Sequence, residues 1–254
     1  MFPLLFLLLI NYITSQHRIV NGDVAKPFSY TFIVSIQEQG SHFCGGSLLD
    51  SSTILTAAHC KPENLNNITV HIHRFDLSKT DNEESGFSSE VQQIINHEEY
   101  DEENVVNDIS IWKLKKEIST EVEYQSVLLP DNKIQEDSKI KNLTVIGWGY
   151  QVYETGETAK ELQVAKVKLV DVNKCAKKWK EFGSLDKNKV LCTKYQHKKQ
   201  SICNGDSGGP LVFYDNKKNA YVQIGIVSFG EEKCVIDKNF PDGFVRVQSY
   251  LDWI

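Results

Sequence analysis

Beyond residue 10 the chain has no apolar window long enough to cross a bilayer, no internal repeat and no low-complexity segment. Those absences exclude a membrane-spanning helix in the body of the chain, a repeat solenoid and a disordered linker. Positive charge is not in excess either: 28 Lys and Arg stand against 34 Asp and Glu, a formal net charge of −6. A chain built to neutralise phosphates shows the opposite balance, so neither nucleic acid nor membrane is an expected partner. Helix signals are sparse. Asp171 caps a predicted short helix through Cys175 to Trp179, and a second short helix is predicted over Ser249–Ile254. Metal-ligand spacing is missing as well. His71 and His73 alternate along one predicted strand without a third ligand and read as exposed strand positions. No metal and no cofactor is expected.

Against these absences stand 254 residues, 41% apolar and 24% charged, the mix of a chain that buries a sizeable core. Six cysteines fit three bridges, but fifteen pairings are open and spacing does not choose among them. Phe2–Ile10 is an apolar run too short for a bilayer, followed by polar Asn11, Thr14 and Ser15. Although no basic residue follows Met1, residues 1–15 read as a signal peptide, so the mature chain is expected outside the cell, where disulfides persist. β-Branched and aromatic runs at Phe32–Ile36, Thr69–His73, Ile109–Leu114, Leu143–Ile146, Leu162–Val170, Leu211–Tyr214 and Tyr221–Val227 predict short strands. They fall into two halves, roughly 19–125 and 126–254, joined near Glu117–Lys139. The fold class predicted is all-β, two packed barrels. Acids dominate Asp76–Glu103 and lysines dominate Lys174–Lys199, each read as a solvated face. Asn67 and Asn142 begin glycosylation sequons that touch predicted strands.

Three strings carry chemistry. The first is Cys203-Asn204-Gly205-Asp206-Ser207-Gly208-Gly209-Pro210, in which glycines allow a tight turn that exposes a hydroxyl beside free N–H groups. Alone it could be a Gly/Pro-rich turn. The second is Leu55-Thr56-Ala57-Ala58-His59-Cys60, and the third is Asn107-Asp108-Ile109-Ser110-Ile111. A serine hydroxyl is a poor nucleophile until a base takes its proton, and an imidazole needs a carboxylate to fix its tautomer. His59, Asp108 and Ser207 are those three groups.

From Ile19 to the C-terminus these strings resemble the chymotrypsin/trypsin family of serine endopeptidases, from which the general description of the triad is itself drawn. Ser41–Ser47 and Tyr250–Ile254 look closest to the trypsin-like proteases of mites, which are allergens. The resemblance implies two antiparallel six-stranded barrels, with Ser207 as nucleophile, His59 as general base, Asp108 as its orienting acid, and the N–H groups of Gly205 and Ser207 as oxyanion donors. It implies that Ser228 contacts the triad aspartate, and that Phe229 and Gly230 form the strand along which substrate pairs. Asn204 and the pocket positions 201, 202 and 242 are further candidate substrate contacts. Residues 16–18 become a short activation peptide. A cut after Arg18 would free the Ile19 amino group to pair with Asp206, giving a buried carboxylate its cation. The implied bridges are Cys44–Cys60, Cys175–Cys192 and Cys203–Cys234. In relatives the loop near His73–Ser85 can hold calcium, but no regular oxygen spacing appears here. His42 reads as a loop residue near the cleft.

The chain departs from the family at the specificity pocket. Ser201 stands where trypsin-like members carry aspartate and resembles chymotrypsin-like members instead. Ile202 would narrow the pocket, Phe229 replaces the usual Trp, and Asp242 stands where a pocket glycine is usual. Asp242 either recognises a basic substrate side chain or fills the pocket, and sequence leaves both open. The expected function is a secreted, zymogen-activated endopeptidase acting on proteins or peptides, with protease inhibitors as further partners and a monomeric state. The alternative is a protease-fold protein that binds or masks a partner without cleaving it.

Overall fold

Alternating burial marks the strands. In Ile68–Ile72 the first, third and fifth side chains are buried while those between are half-exposed, as expected of a strand with one face on a core. In a computed structural model, which describes residues 22–131, 140, 142–153, 155–181, 183–195, 200–231, 234 and 240–254, such strands build two barrels. The first closes in the order Ile33–Glu38, Ser41–Leu48, Thr53–Thr56, Ser110–Leu114, Phe87–Asn96, Ile68–Ile72. The second runs Gln163–Val170, Val190–Tyr195, Asp242–Arg246, Ala220–Phe229, Pro210–Asp215, Leu143–Gly147 and closes where Leu143–Gly147 pairs with Gln163–Val170. All pairings within both barrels are antiparallel. The two-residue strand Asp23–Val24 adds to the outer edge of the second barrel.

The connecting segment stitches the barrels together. Val127 N–H donates to Leu48 O of the first barrel at 2.9 Å, and Leu128 N–H donates to Tyr221 O of the second at 2.9 Å. Between them the buried Ser47 hydroxyl donates to Gln223 Oε1 at 2.5 Å. Val245, Val247 and Tyr250 pack with the apolar interior of the first barrel, so the end of the chain clamps both halves. The helix Val172–Trp179 is capped by the Asp171 carboxylate, which accepts from Lys174 N–H at 3.0 Å. The C-terminal helix is one 3₁₀ turn over Val247–Tyr250, two residues before the expected start. Among the described residues no helix is long and apolar enough to cross a membrane.

Three histidine readings are corrected. His71 and His73 are not exposed: the loop over residues 74–86 folds back on them. His71 Nδ1 lies 2.9 Å from Asp81 Oδ1, and His73, buried and stacked on Phe28 at 4.6 Å, donates from Nδ1 to Glu84 O at 2.9 Å. His42 lies in the strand Ser41–Leu48, not in a loop. The acidic stretch is not wholly a solvated face either. Glu84 is buried against Arg74, whose Nε donates to Glu84 Oε2 at 2.8 Å and whose Nη1 donates to Asp81 Oδ1 at 2.7 Å. Arg74 Nη2 reaches the carbonyls of Asp76 and Lys79. These loop oxygens therefore face a guanidinium of the chain's own, and such a buried pair is expensive to break from one side.

Candidate active site

The strand Thr53–Thr56 ends in the 3₁₀ turn Ala58–Cys60, which carries His59. The Cys44–Cys60 bridge, S–S 2.06 Å, ties that turn to the neighbouring strand. Because both sulfurs are in the bridge, Cys44, Cys60 and the nearby His59 are no metal-ligand set. Asp108, fully buried, precedes the strand Ser110–Leu114 and uses both oxygens as acceptors. Oδ1 accepts His59 N–H at 2.9 Å, and Oδ2 lies 2.7 Å from His59 Nδ1 and accepts the Ser228 hydroxyl at 2.6 Å. Burial works against a charged His59, but the hydrogen bond and charge of Asp108, with the charge of Glu102, outweigh it and raise the pKa above 6.5.

Ser207 comes from the other barrel, in the turn before Pro210–Asp215. Its carbonyl accepts from Gly45 N–H at 2.8 Å, across the seam. Gly208, at φ +76°, sits so close that a Cβ there would lie 2.1 Å from Thr56 Oγ1 and 3.2 Å from Ala57 N, two residues before His59. Glycine at 208 is thus what lets the serine turn seat against the histidine turn. Among the described residues the hydrogen bonds of the His59 ring end at Asp108, and none joins it to the Ser207 hydroxyl. The N–H groups of Asp206, Gly208 and Gly209 are spent on Cys203 O, Val227 O and Asp206 O. Those of Gly205 and Ser207 meet no acceptor among the described residues.

Behind this turn stands a residue the sequence reading missed. His42 Nε2 lies 2.9 Å from Gly205 O and Nδ1 lies 2.8 Å from Ser35 Oγ. A carbonyl only accepts, so Nε2 carries the proton and Nδ1 accepts from the Ser35 hydroxyl, which in turn accepts from Gln37 Nε2. Burial pushes the His42 pKa down to about 4, so the ring stays neutral in this role. The chain Gln37–Ser35–His42 fixes the Gly205 peptide, at φ +94°. The only sequence signal was a histidine beside Cys44.

Asp206 is fully buried. Its carboxylate accepts Gly149 N–H at 2.8 Å and Cys203 N–H at 3.0 Å, yet burial outweighs these bonds and raises its pKa to about 6. Arg18 and Ile19 lie outside the described residues. The pocket positions Ser201, Ile202 and Asp242 are each 5% exposed. Burial raises the Asp242 pKa to about 7 with help from the Asp206 charge, while Tyr195, the Ile202 N–H and Ser201 work the other way. Asp242 and Ile202 press on the end of the neighbouring strand: a Cβ on Gly230 would lie 3.2 Å from Ile202 Cδ1 and 3.3 Å from Asp242 Oδ1. Phe229 lies over Gly243, its ring edge-on to Trp179 at 5.2 Å. Asn204 is exposed, with its carbonyl accepting from Tyr150 N–H. The remaining bridges are Cys175–Cys192, at the base of the helix, and Cys203–Cys234, beside the pocket. Asn67 and Asn142 are exposed.

Two six-stranded antiparallel barrels, with a histidine–aspartate pair on one and a glycine-flanked serine turn docked from the other, define the two-barrel class of serine endopeptidases. The family model "Trypsin" matches residues 19–254, and the chain belongs to that family. It is 32% identical over 246 residues to transmembrane protease serine 11B of Homo sapiens, an alignment covering 96% of this chain and 56% of that protein. It is 30% identical over 237 residues to trypsin alpha of Drosophila melanogaster, covering 93% and 86%. With the clotting factor G beta subunit of Tachypleus tridentatus it shares 29% over 245 residues, covering 93% and 78%.

Proposed function

We propose that the protein is a secreted serine endopeptidase, made with a signal peptide over residues 1–15 and activated by removal of residues 16–18. The observation that carries this reading is the environment of Asp108, a buried carboxylate whose acceptors all meet donors, two of them from His59. Ser207 Oγ attacks the scissile carbonyl carbon while His59 Nε2 takes its proton. Collapse of the adduct breaks the C–N bond, and the same proton passes to the leaving amine. Water then repeats the sequence on the acyl ester. The N–H groups of Gly205 and Ser207 meet the oxyanion in both steps. Catalytic hydrogen bonds are often long or poorly aligned in a free site and tighten in the complex, so a His59 ring bonded only to Asp108 is compatible with this chemistry. The narrower likeness of Ser41–Ser47 and Tyr250–Ile254 to mite proteases supports grouping the protein with those enzymes and their allergens.

Activation follows from Asp206. Its pKa of about 6 lies above the ordinary 3.8, so the uncut fold loses up to about 3 kcal/mol as pH rises through that window. A new Ile19 ammonium beside the carboxylate restores this at neutral pH. Protein cut after Arg18 should therefore hydrolyse peptide amides where the uncut chain does not, and should melt higher than the uncut chain by a margin that is larger at pH 8 than at pH 5. Cut, folded protein without hydrolysis would overturn the reading.

For specificity we take Asp242 as the acid that recognises an Arg or Lys side chain before the scissile bond. A cation entering the pocket meets a carboxyl neutral below about pH 7 and charged above it. The ratio of kcat/KM for Arg substrates to that for Phe substrates should rise through pH 7, the His59 titration cancelling in the ratio. In Asp242→Gly the ratio should be flat and the basic substrates selectively lost; equal loss of all substrates would speak for a folding fault. The burial of Ser201, Ile202 and Asp242 favours a second reading, a sealed pocket on a protein that binds a partner without cleaving it. A panel of Arg, Lys, Phe, Tyr and Leu substrates, all left uncut, would support that reading instead.

A further inference from the structure

Asp108 follows a residue in an unusual backbone state. Asn107 has φ +55°, and two positions earlier Val105 has φ +52°, a conformation that a β-branched side chain adopts only under constraint. What holds Asn107 is its own side chain, which is buried and makes three hydrogen bonds. Its Nδ2 donates to Glu99 O at 2.7 Å within the same loop. Its Oδ1 accepts Lys189 Nζ at 2.7 Å from the second barrel and the Tyr250 hydroxyl at 3.0 Å from the C-terminal turn. The Lys189 ammonium also stands 5.9 Å from the centre of the Tyr250 ring. Lys189 is itself anchored, because its carbonyl accepts Arg246 N–H at 2.7 Å. A narrow crevice, open to solvent and with room for no more than about one water, lies against the back of Asp108 and is lined by Asn107, Lys189, Tyr250 and Ser228.

We propose that Lys189 and Tyr250 are positioning residues for the triad, acting through the Asn107 side chain to hold the Asp108 carboxylate against His59. The proposal rests on the reading of Asp108 as the acid that orients His59. Three separate chain segments meet at one amide oxygen, and an ammonium donor gives that contact the strength of a charge-assisted bond. Releasing it lets the left-handed residue relax, and the carboxylate beyond it loses its fixed distance to the ring. Displacements of that kind lower turnover more than substrate affinity. His59 titration reports the same distance, since Asp108 is what raises it, with Glu102 as the other facing charge. Around Tyr250 the further groups are His97, whose ring meets it edge-on at 5.5 Å, and Asp186.

The test uses the cut, full-length enzyme and a peptide amide substrate. Lys189→Met should lower kcat about tenfold with KM changed less than about twofold, and should move the acid limb of the pH–rate profile downward. Lys189→Arg, which keeps a charged donor, should restore most of the rate. Tyr250→Phe removes one hydroxyl without disturbing the core and should give a smaller loss of the same kind. In an Asp108→Asn background both substitutions should be silent. An unchanged kcat with an unmoved acid limb overturns the proposal, as does a loss that persists in full on Asp108→Asn. Turnover that survives Asp108→Asn by itself would overturn the parent reading and the node with it; a silent node beside a slow Asp108→Asn overturns the node alone.

Discussion

Ser207→Ala should lower kcat on a peptide amide by about 10⁶-fold while leaving KM and the melting temperature nearly unchanged. The size follows from what is lost. Without the hydroxyl no acyl ester forms, and water must attack the amide from a site not shaped for it. The oxyanion donors and the binding strand stay, so a residual rate about 10³ to 10⁴ above the uncatalysed reaction should persist. The fold has little stake in the side chain. Ser207 is held by its carbonyl, which Gly45 N–H binds from the other barrel, and by the glycines on either side. An active-site serine reagent should label the parent enzyme at Ser207 and leave the variant untouched. Activity within about tenfold of the parent would remove Ser207 from the chemistry and overturn the acyl-enzyme mechanism.

The parts of this site that could be read from sequence are those whose chemistry is local. A serine between glycines and a histidine beside a cysteine each need their neighbours in the chain, so the strings carry the information. Strands were legible where β-branched residues recur, alternating on one core as in Ile68–Ile72 or buried on both faces as in Ala220–Phe229. They were not legible where composition opposes it. Ser41–Leu48 carries Gly45 and Gly46, and a Cβ on Gly46 would come within 2.8 Å of Ile54 Cγ2, so those glycines serve close strand packing instead of a turn. Phe87–Asn96 reads as polar because one side faces solvent. The groups that brace the site were invisible for a different reason. His42 meets Gly205 across 163 residues, and Lys189 meets Asn107 across 82. No pattern within a window records such pairs. Arg74 did leave a trace, a lone arginine ahead of Asp76, Asp81 and Glu84 in an acidic stretch, where a buried carboxylate needs a cation.

Function gathers where the two barrels exchange polar contacts. The first supplies His59 and Asp108, the second supplies Ser207, Ser228 and the N–H groups proposed to meet the oxyanion, and each bond across the seam fixes one group relative to another. Gly45 N–H holds the serine turn, Ser228 holds the aspartate, and His42 holds the peptide whose neighbours would bind the oxyanion. Asn107, Gly205 and Gly208, three of the residues with positive φ, lie at the same seam. Strain of this kind persists only where surrounding contacts over-determine it, which is what the seam provides.

Asp108→Asn should lower kcat about 10⁴-fold, the scale of loss when a triad imidazole is held in the wrong tautomer, and the geometry here says why. Asp108 Oδ1 faces His59 N–H, a backbone donor that cannot turn away, so the amide oxygen of an asparagine must take that side. The amide NH₂ then points at His59 Nδ1. Ser228 can rotate its hydroxyl to accept, but the imidazole can only accommodate a donor by accepting at Nδ1, which moves its proton to Nε2. A ring protonated at Nε2 has no lone pair to offer the Ser207 hydroxyl. The variant should therefore fold, bind substrate with a KM close to the parent's and fail at the proton transfer. Loss of the Asp108 charge should also lower the His59 pKa, carrying any residual acid limb to lower pH. A variant with parental kcat would mean that the carboxylate does not set the tautomer. A variant that fails to fold would be told from a slow one by its thermal melt, and Asp108→Glu, an acceptor on a longer arm, should then recover the fold and part of the rate.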